Sequence, residues 1–272
     1  MQLINTPFNY TGGKFKLLEQ LLPLFDYSKN NFVDLFTGGG SVYTNVVDKY
    51  EKVLANDIIS DLIKIHKELI SGDEIINLTR SNAVFKGDKD GYMNFREEYN
   101  NDPKPWKLWV LMLSCTNNML RFNKSFKFNQ TYGNRGWNSN TDKKVEEFIQ
   151  HIRKFKDKLY FTSMDFSEVV PKTPSMIYID PPYLETEAGY NSYFNKGDGQ
   201  RLYDYIIKMN ELGHSFALSG VHGEHRSGKR SKLIDDLLEL NLFKYTYLDI
   251  DYNKVKRSDF ESKSKEILIF NY

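Results

Sequence analysis

The stretch from Asn31 to Asp57, NFVDLFTGGGSVYTNVVDKYEKVLAND, constrains the fold more than any other. An apolar run (31–36) meets three glycines, then a helix-patterned segment, then a second apolar run (52–57) that ends on an acid. A strand, a glycine turn, a helix and a strand in that order open a doubly wound α/β sheet. Residues 14–25, KFKLLEQLLPLF, read as a short amphipathic helix before it. Further strands are predicted at 159–163, 175–180, 215–220, 243–250 and 266–271, with helices around 198–212 and 231–240. Between Ile58 and about Gln150 the pattern is helical or irregular, and DLIKIHKELI and WKLWVLMLSCTNNML are its best helices. The expectation is one discontinuous α/β domain, residues 1–57 and 144–272, built on a doubly wound, mostly parallel seven-stranded Rossmann-like sheet. A mainly helical subdomain, 58–143, is inserted in it.

Composition excludes several classes. No apolar run reaches the ~18–20 residues of a membrane span, and MQLINTPFNYTGGK lacks the basic-then-apolar pattern of a signal peptide. Cys115 is the single cysteine, so no internal disulfide forms, which fits a reducing cytoplasm. The five histidines are scattered, His222 and His225 have no evident third ligand, and no metal is expected. The net charge of +1 hides a segregation. Pro103–Thr141 has no Asp or Glu but carries Lys104, Lys107, Arg121, Lys124, Lys127 and Arg135 among aromatic residues. A second basic run, HGEHRSGKRSK, spans 222–232. Cations interleaved with rings and amides suit nucleic acid; a solvated basic face is the plainer alternative.

Four motifs stand at predicted strand ends. DLFTGGGS (34–41) puts glycines where a ligand can lie against backbone and helix N-terminal amides can face an anion. It has neither the G-x-G-x-x-G spacing nor the Lys-Ser/Thr of a P-loop. Asp57 follows about 20 residues on, the place of a ribose-diol acceptor in such folds, or it caps the next helix. Asp165 and Phe166 could take an exocyclic amine and a purine face, or Asp165 caps the turn after it. Last comes DPPY (180–183), behind the apolar run 175–179. Prolines there fix the backbone. Asp180 and the Pro181 carbonyl could serve as two rigid acceptors for the two hydrogens of a base amine and localise a lone pair otherwise spread into the ring, or the tetrapeptide is a plain turn. Tyr183 offers a stacking face. A base must leave its duplex to reach such a site.

These residues, in this order, resemble the Dam-type DNA adenine-N6 methyltransferases, with the cofactor motif first, then target recognition, then the DPPY tetrapeptide. The similarity runs over essentially the whole chain, to the closing SKEILIFNY (264–272). It implies methyl transfer from S-adenosyl-L-methionine (AdoMet) directly to N6 of a flipped-out adenine in a short duplex DNA site, with no covalent intermediate and no role for Cys115 as nucleophile. By resemblance the cofactor residues are Tyr10, Lys14, Asp34, Phe36, Gly38, Gly39, Gly40, Ser41, Asp57, Asp165, Phe166 and Asp180. The catalytic residues are Asp180, Pro181, Pro182 and Tyr183. NNMLRFN (117–123) and FNQTYGNR (128–135) resemble the DNA-reading segment. They give Asn118, Met119, Arg121, Asn123, Lys127, Tyr132 and Arg135 as DNA contacts, with Asn9 near the N-terminal motif. Asn9 stands where many GATC-reading members carry lysine, and Thr131 where members usually carry proline, so GATC is a candidate target only. The resemblance further implies a bacterial or phage enzyme in the cytoplasm, a monomer or weak dimer. A cognate restriction endonuclease acting on the same site, without an obligate complex, is a compatible partner. The rivals are a cytosine-N4 methylase, an RNA methylase and a non-catalytic DNA-binding regulator. A nicotinamide oxidoreductase fits the glycine turn but leaves DPPY unexplained.

Overall fold

The computed structural model describes residues 2–8, 10–183, 193–195, 197–224, 229–249 and 265–272. Asn9, part of the 222–232 run and the end of the 243–250 segment lie outside the described residues. The strands are β1 (Asn31–Asp34), β2 (Lys52–Asn56), β3 (Leu159–Thr162), β4 (Ser175–Ile179), β5 (Ser215–His222), β6 (Lys244–Leu248) and β7 (Lys265–Phe270). They form one seven-stranded sheet in the order β3-β2-β1-β4-β5-β7-β6. β1 to β5 pair in parallel, and β7 runs antiparallel between β5 and β6. The strand order reverses between β1 and β4, so the carboxyl ends of these two strands open a crevice at the edge where α/β folds take ligands.

The parallel strands are apolar on both faces because both are covered. On β4, Met176 and Tyr178 join one core and Ile177 and Ile179 the other, as the two-residue strand period requires. The second core is closed by α8 (Asp198–Glu211) and α9 (Lys232–Glu239), through Leu202, Ile206, Ile234 and Leu237. The first is closed by α2 (Ser41–Val46) and α7 (Ser139–Ile152) and runs without a break into the helical insertion. There α3 (Ser60–Ser71), α4 (Glu74–Asn82) and α5 (Lys89–Asn101) surround α6 (Pro105–Ser114). α6 is buried at every position from Leu108 to Ser114, which is why its sequence shows no polar stripe.

Two predicted helices are shorter than expected. Residues 14–25 are broken: a 3₁₀ turn (Lys14–Leu17), one α-turn, α1 (Leu18–Leu21), and a second 3₁₀ turn that contains Pro23. The helix predicted through Leu120 stops at Ser114, where Cys115 turns extended (φ −84°, ψ 163°), and Asn117 and Asn118 beyond it take left-handed φ values of 58° and 52°. Asparagine tolerates that region better than other non-glycine residues. The chain then turns back, and Cys115 pairs with Tyr132 and Phe122 with Phe128. Among the described residues no helix is long and apolar enough to cross a membrane.

Candidate active site

At the crevice between β1 and β4 lies a cavity of about 790 Å³, within the usual range for a small-molecule site. Its wall contains Tyr10, Lys14, Asp34, Phe36, the glycines 38–40, Ser41, Asp57, Asp165, Phe166 and all four residues of DPPY. Met119 and Arg121 reach it from the insertion. Four strand ends and an N-terminal segment thus meet in one space.

The glycine turn leaves β1 through Gly38 (φ 50°) and Gly40 (φ 77°), conformations that side chains resist. The sequence reading gave the glycines' room to a ligand. All three line the cavity, and their missing side chains also make room within the protein: a Cβ on Gly38 would lie 2.8 Å from Tyr10 Cε1, and one on Gly39 2.6 Å from Tyr10 Cβ. Those glycines therefore admit Tyr10, and Gly40 admits Tyr43 and His66. His66, on α3, was not anticipated. Its Nε2–H donates to the Gly38 carbonyl at 2.9 Å, and its Nδ1 accepts from the Tyr43 hydroxyl at 2.9 Å. Burial holds this imidazole neutral, with a pKa pushed down to about 4. A neutral ring that donates on one side and accepts on the other is what these two contacts need. Its signal was its place in the apolar stripe Leu62, Ile65, His66, Leu69, where a buried histidine must find partners.

Of the two roles left open by the sequence, the Asp57 side chain is seen holding local backbone amides, and it also lines the cavity. Oδ1 accepts from the Ile59 amide at 3.0 Å at the entry to α3, and Oδ2 from the Gly38 amide at 2.9 Å. Burial raises its pKa; the two amide bonds oppose that. A carboxylate has about four acceptor positions, so capacity remains towards the cavity. Asp34 is buried at the end of β1 and accepts from the Tyr43 amide at 3.1 Å. Burial pushes its pKa up to about 8, with Asp180 and Asp57 adding repulsion. Asp165 caps the 3₁₀ turn Phe166–Glu168 through the Ser167 amide, and Phe166 stacks obliquely on Phe36 at 5.5 Å.

At DPPY, the Lys14 ammonium lies 2.6 Å from Asp180 Oδ1 and 2.8 Å from Oδ2, although the residues are 166 positions apart. Lys14 was expected at the cofactor; it lines the cavity, but its charge is directed to Asp180. Burial raises the Asp180 pKa and Lys14 pulls it back. The Tyr183 hydroxyl lies 3.4 Å from Asp180 Oδ1 and 3.2 Å from Glu266 Oε2, and the Lys14 ammonium is 5.1 Å from its ring centre. Burial lifts the Cys115 thiol to about 12, far from a reactive thiolate.

The expected DNA-reading residues separate into two sets. Arg121 is exposed at the cavity rim, and among the described residues no ion pair or side-chain hydrogen bond is recorded for it. Lys124 and Lys127 are exposed on the hairpin turn. Asn118, by contrast, is buried; it donates to the Met112 carbonyl at 2.7 Å and accepts from Arg135 at 2.8 Å. The Tyr132 hydroxyl is held by the Phe85 carbonyl at 2.5 Å. Asn123 Oδ1 accepts from the Ser125 and Lys127 amides and shapes the turn. Thr131, the departure from proline, uses its amide on Gln130 at 3.2 Å and its hydroxyl on Thr116 at 2.9 Å. In the 222–232 run, Arg230 pairs with Asp235 and Lys232 with Asp236, both on α9.

Buried carboxylates with spare acceptor positions, an apolar ring and a carboxylate pinned by an ammonium can hold the hydroxyl and amine donors of a heterocyclic ligand. Comparison with known proteins agrees with that chemistry. Residues 10–261 match the model of the D12 class N6 adenine-specific DNA methyltransferases. The chain is 34% identical over 287 residues to the modification methylase StsI of Streptococcus sanguinis, covering 99% of this chain and 43% of that protein. It is 29% identical over 286 residues to the type II methyltransferase M.FokI of Planomicrobium okeanokoites, with the same coverage of each chain. The DNA adenine methylase of Escherichia coli is 27% identical over 200 residues, 68% of this chain and 67% of that one. The chain thus spans less than half the length of the first two relatives. With the motifs gathered in one cavity and the match running through nearly all of the sequence, the chain belongs to the D12 class N6 adenine-specific DNA methyltransferase family.

Proposed function

We propose that this chain is a site-specific DNA methyltransferase that moves a methyl group from AdoMet to N6 of an adenine flipped out of duplex DNA. The observation that carries the reading is the convergence of Tyr10–Lys14, the glycine turn, Asp57, Asp165–Phe166 and DPPY on one cavity. The residues fit AdoMet. Asp57 is a buried carboxylate with acceptor capacity left for a ribose diol, and Asp165 with Phe166 offers an acceptor beside a ring for the adenine. Bound there, AdoMet supplies an electrophilic sulfonium methyl.

The protein's part is to hold the attacking amine. Asp180 and the Pro181 carbonyl accept its two N–H groups, Tyr183 stacks on the base, and Pro182 keeps the turn rigid. Lys14 keeps Asp180 a carboxylate in a site whose burial favours the neutral acid. Asp180 Oδ then takes the proton that the amine loses once methylated. Preorganised polar contacts of this kind are worth ~10²–10³ in rate.

Residues 58–143 serve as the target-recognition subdomain, with Arg121 reading a base edge and Lys127 meeting phosphate. The target is a short duplex site, with GATC the first sequence to try. The names of the relatives, a modification methylase and a type II methyltransferase, support a restriction-modification role, in which an endonuclease of the same site would be a partner in function rather than in an obligate complex. A cytoplasmic monomer or weak dimer suits this role. The family match to an adenine-N6 class sets aside the cytosine-N4 alternative. The test supplies AdoMet labelled in its methyl group with duplex DNA and competing RNA, then digests both to nucleosides. Label in N6-methyldeoxyadenosine is expected. Label confined to RNA, or in N4-methyldeoxycytidine, overturns the reading.

A further inference from the structure

The guanidinium of Arg201, on the first turns of α8, sits behind the Asp165–Phe166 wall. Nη2 donates to Asp165 Oδ1 at 2.5 Å and to Ser167 Oγ at 2.9 Å. Nη1 donates to Asp198 Oδ1 at 2.5 Å. The guanidinium carbon lies 5.0 Å from the centre of the Phe166 ring, within cation–π range. Asp198 is buried and in turn accepts from the Asn195 amide at 2.8 Å. One planar cation therefore ties three things together: the acceptor expected at the cofactor amine, the ring expected at its adenine face, and the start of the helix that follows DPPY.

The distribution of donors on Asp165 gives this bridge a direction. Oδ1 receives the Ser167 amide at 3.0 Å, the Ser167 hydroxyl at 2.6 Å and Arg201. Among the described residues no hydrogen bond is recorded to Oδ2. Oδ1 is saturated, and Oδ2 is the acceptor that remains for a ligand in the cavity that Asp165 lines. A free carboxylate could rotate and offer either oxygen; this one is fixed by three donors on one side. A second carboxylate, Asp198, occupies the other arm of the guanidinium and keeps it from swinging to solvent, although the Arg201 side chain is 46% exposed.

We propose that Arg201 is a positioning residue of the cofactor site. It turns Asp165 so that Oδ2 faces the exocyclic amine of the cofactor's adenine, and it backs Phe166 from behind. The inference rests on the reading of this cavity as the AdoMet site. It predicts a selectivity as well as an affinity: an oriented, charged acceptor favours a 6-amino donor over a 6-oxo group, which offers only lone pairs there.

The test is calorimetric titration of the wild-type chain and the variants Arg201→Ala, Arg201→Met and Arg201→Lys. The probes are S-adenosylhomocysteine and its 6-oxo analogue S-inosylhomocysteine. Arg201→Met retains a long side chain over Phe166 and guards against a variant that merely misfolds, and thermal melting checks each. Expected are a ~10-fold or larger loss of adenosyl affinity in Arg201→Ala and Arg201→Met, the scale for one charge-assisted hydrogen bond, and partial recovery in Arg201→Lys. The wild-type preference for the adenosyl over the inosyl ligand should shrink in Arg201→Met. Adenosyl affinity within twofold of wild type, or equal losses for both ligands with the preference intact, overturns the proposal. A wild-type chain that binds neither ligand would instead sink the cofactor reading on which it rests.

Discussion

The cofactor side of the cavity and the segment 115–135 were both expected to be functional, and they are built on different principles. On the proposed cofactor side the candidate residues line one cavity, and some are held by partners from distant parts of the chain, as Lys14 holds Asp180. In 115–135 four of the seven candidates, Asn118, Asn123, Tyr132 and Arg135, are spent on contacts within the protein. Asn118, Tyr132 and Asn123 make the turn; Arg121 and Lys127 project from it. Chemistry of one fixed kind needs a rigid, buried constellation, whereas choice of a DNA site needs a firm support with a few outward side chains. A motif read from sequence does not distinguish support from contact.

The sharpest way to break this contrast is at DPPY. Asp180→Ala should leave AdoMet binding measurable while methyl transfer falls by ~100-fold or more, measured in single-turnover assays. Turnover within a few-fold of wild type would remove Asp180 from the chemistry. Lys14→Met asks whether the ion pair serves the same step. Removing one partner of a buried pair leaves the other uncompensated. Burial then acts on Asp180 unopposed and raises its pKa further. Since the ionised form is the acceptor, the acid limb of the rate–pH profile should move to higher pH, with the plateau recovered at alkaline pH. An unshifted limb would return Lys14 to the cofactor alone.

Much of the fold was legible because strands and glycine turns leave local signals. All seven strands fall within a residue or two of expectation, since apolar β-branched runs bounded by Gly, Pro and Asp have few other uses. The end of α6 was not legible, because the chain turns extended at Cys115 and left-handed at two asparagines inside an apolar pattern that carries on past them. The site residues were legible where they sit at strand ends. Their supports were not: Lys14–Asp180, His66–Gly38 and Arg201–Asp165 join residues far apart in sequence, and on their own segments they look like ordinary helix positions.

Two smaller effects sharpen the contrast from either side. Asp57→Ala should weaken AdoMet by about 1.5–3 kcal/mol, the range for a charge-assisted hydrogen bond, with DNA affinity little changed. Calorimetry showing full AdoMet affinity would leave Asp57 only its amides on Gly38 and Ile59. Lys127→Ala should weaken all duplexes alike and make the salt dependence shallower by about one unit. Binding isotherms at several salt concentrations with an unchanged slope would take Lys127 off the phosphates.

The division of labour itself is tested most directly by methylating a randomised duplex library with the wild-type chain and with Arg121→Ala, and sequencing for N6-methyladenine. The account predicts N6-methyladenine in both. The wild type should favour one short site, and the variant should lose ~1–3 kcal/mol of discrimination at one position of it, the value of a bidentate base contact, with AdoMet affinity unchanged. An Arg121→Ala chain that keeps the full site preference but loses AdoMet binding would contradict it, and would make Arg121 part of the cofactor wall.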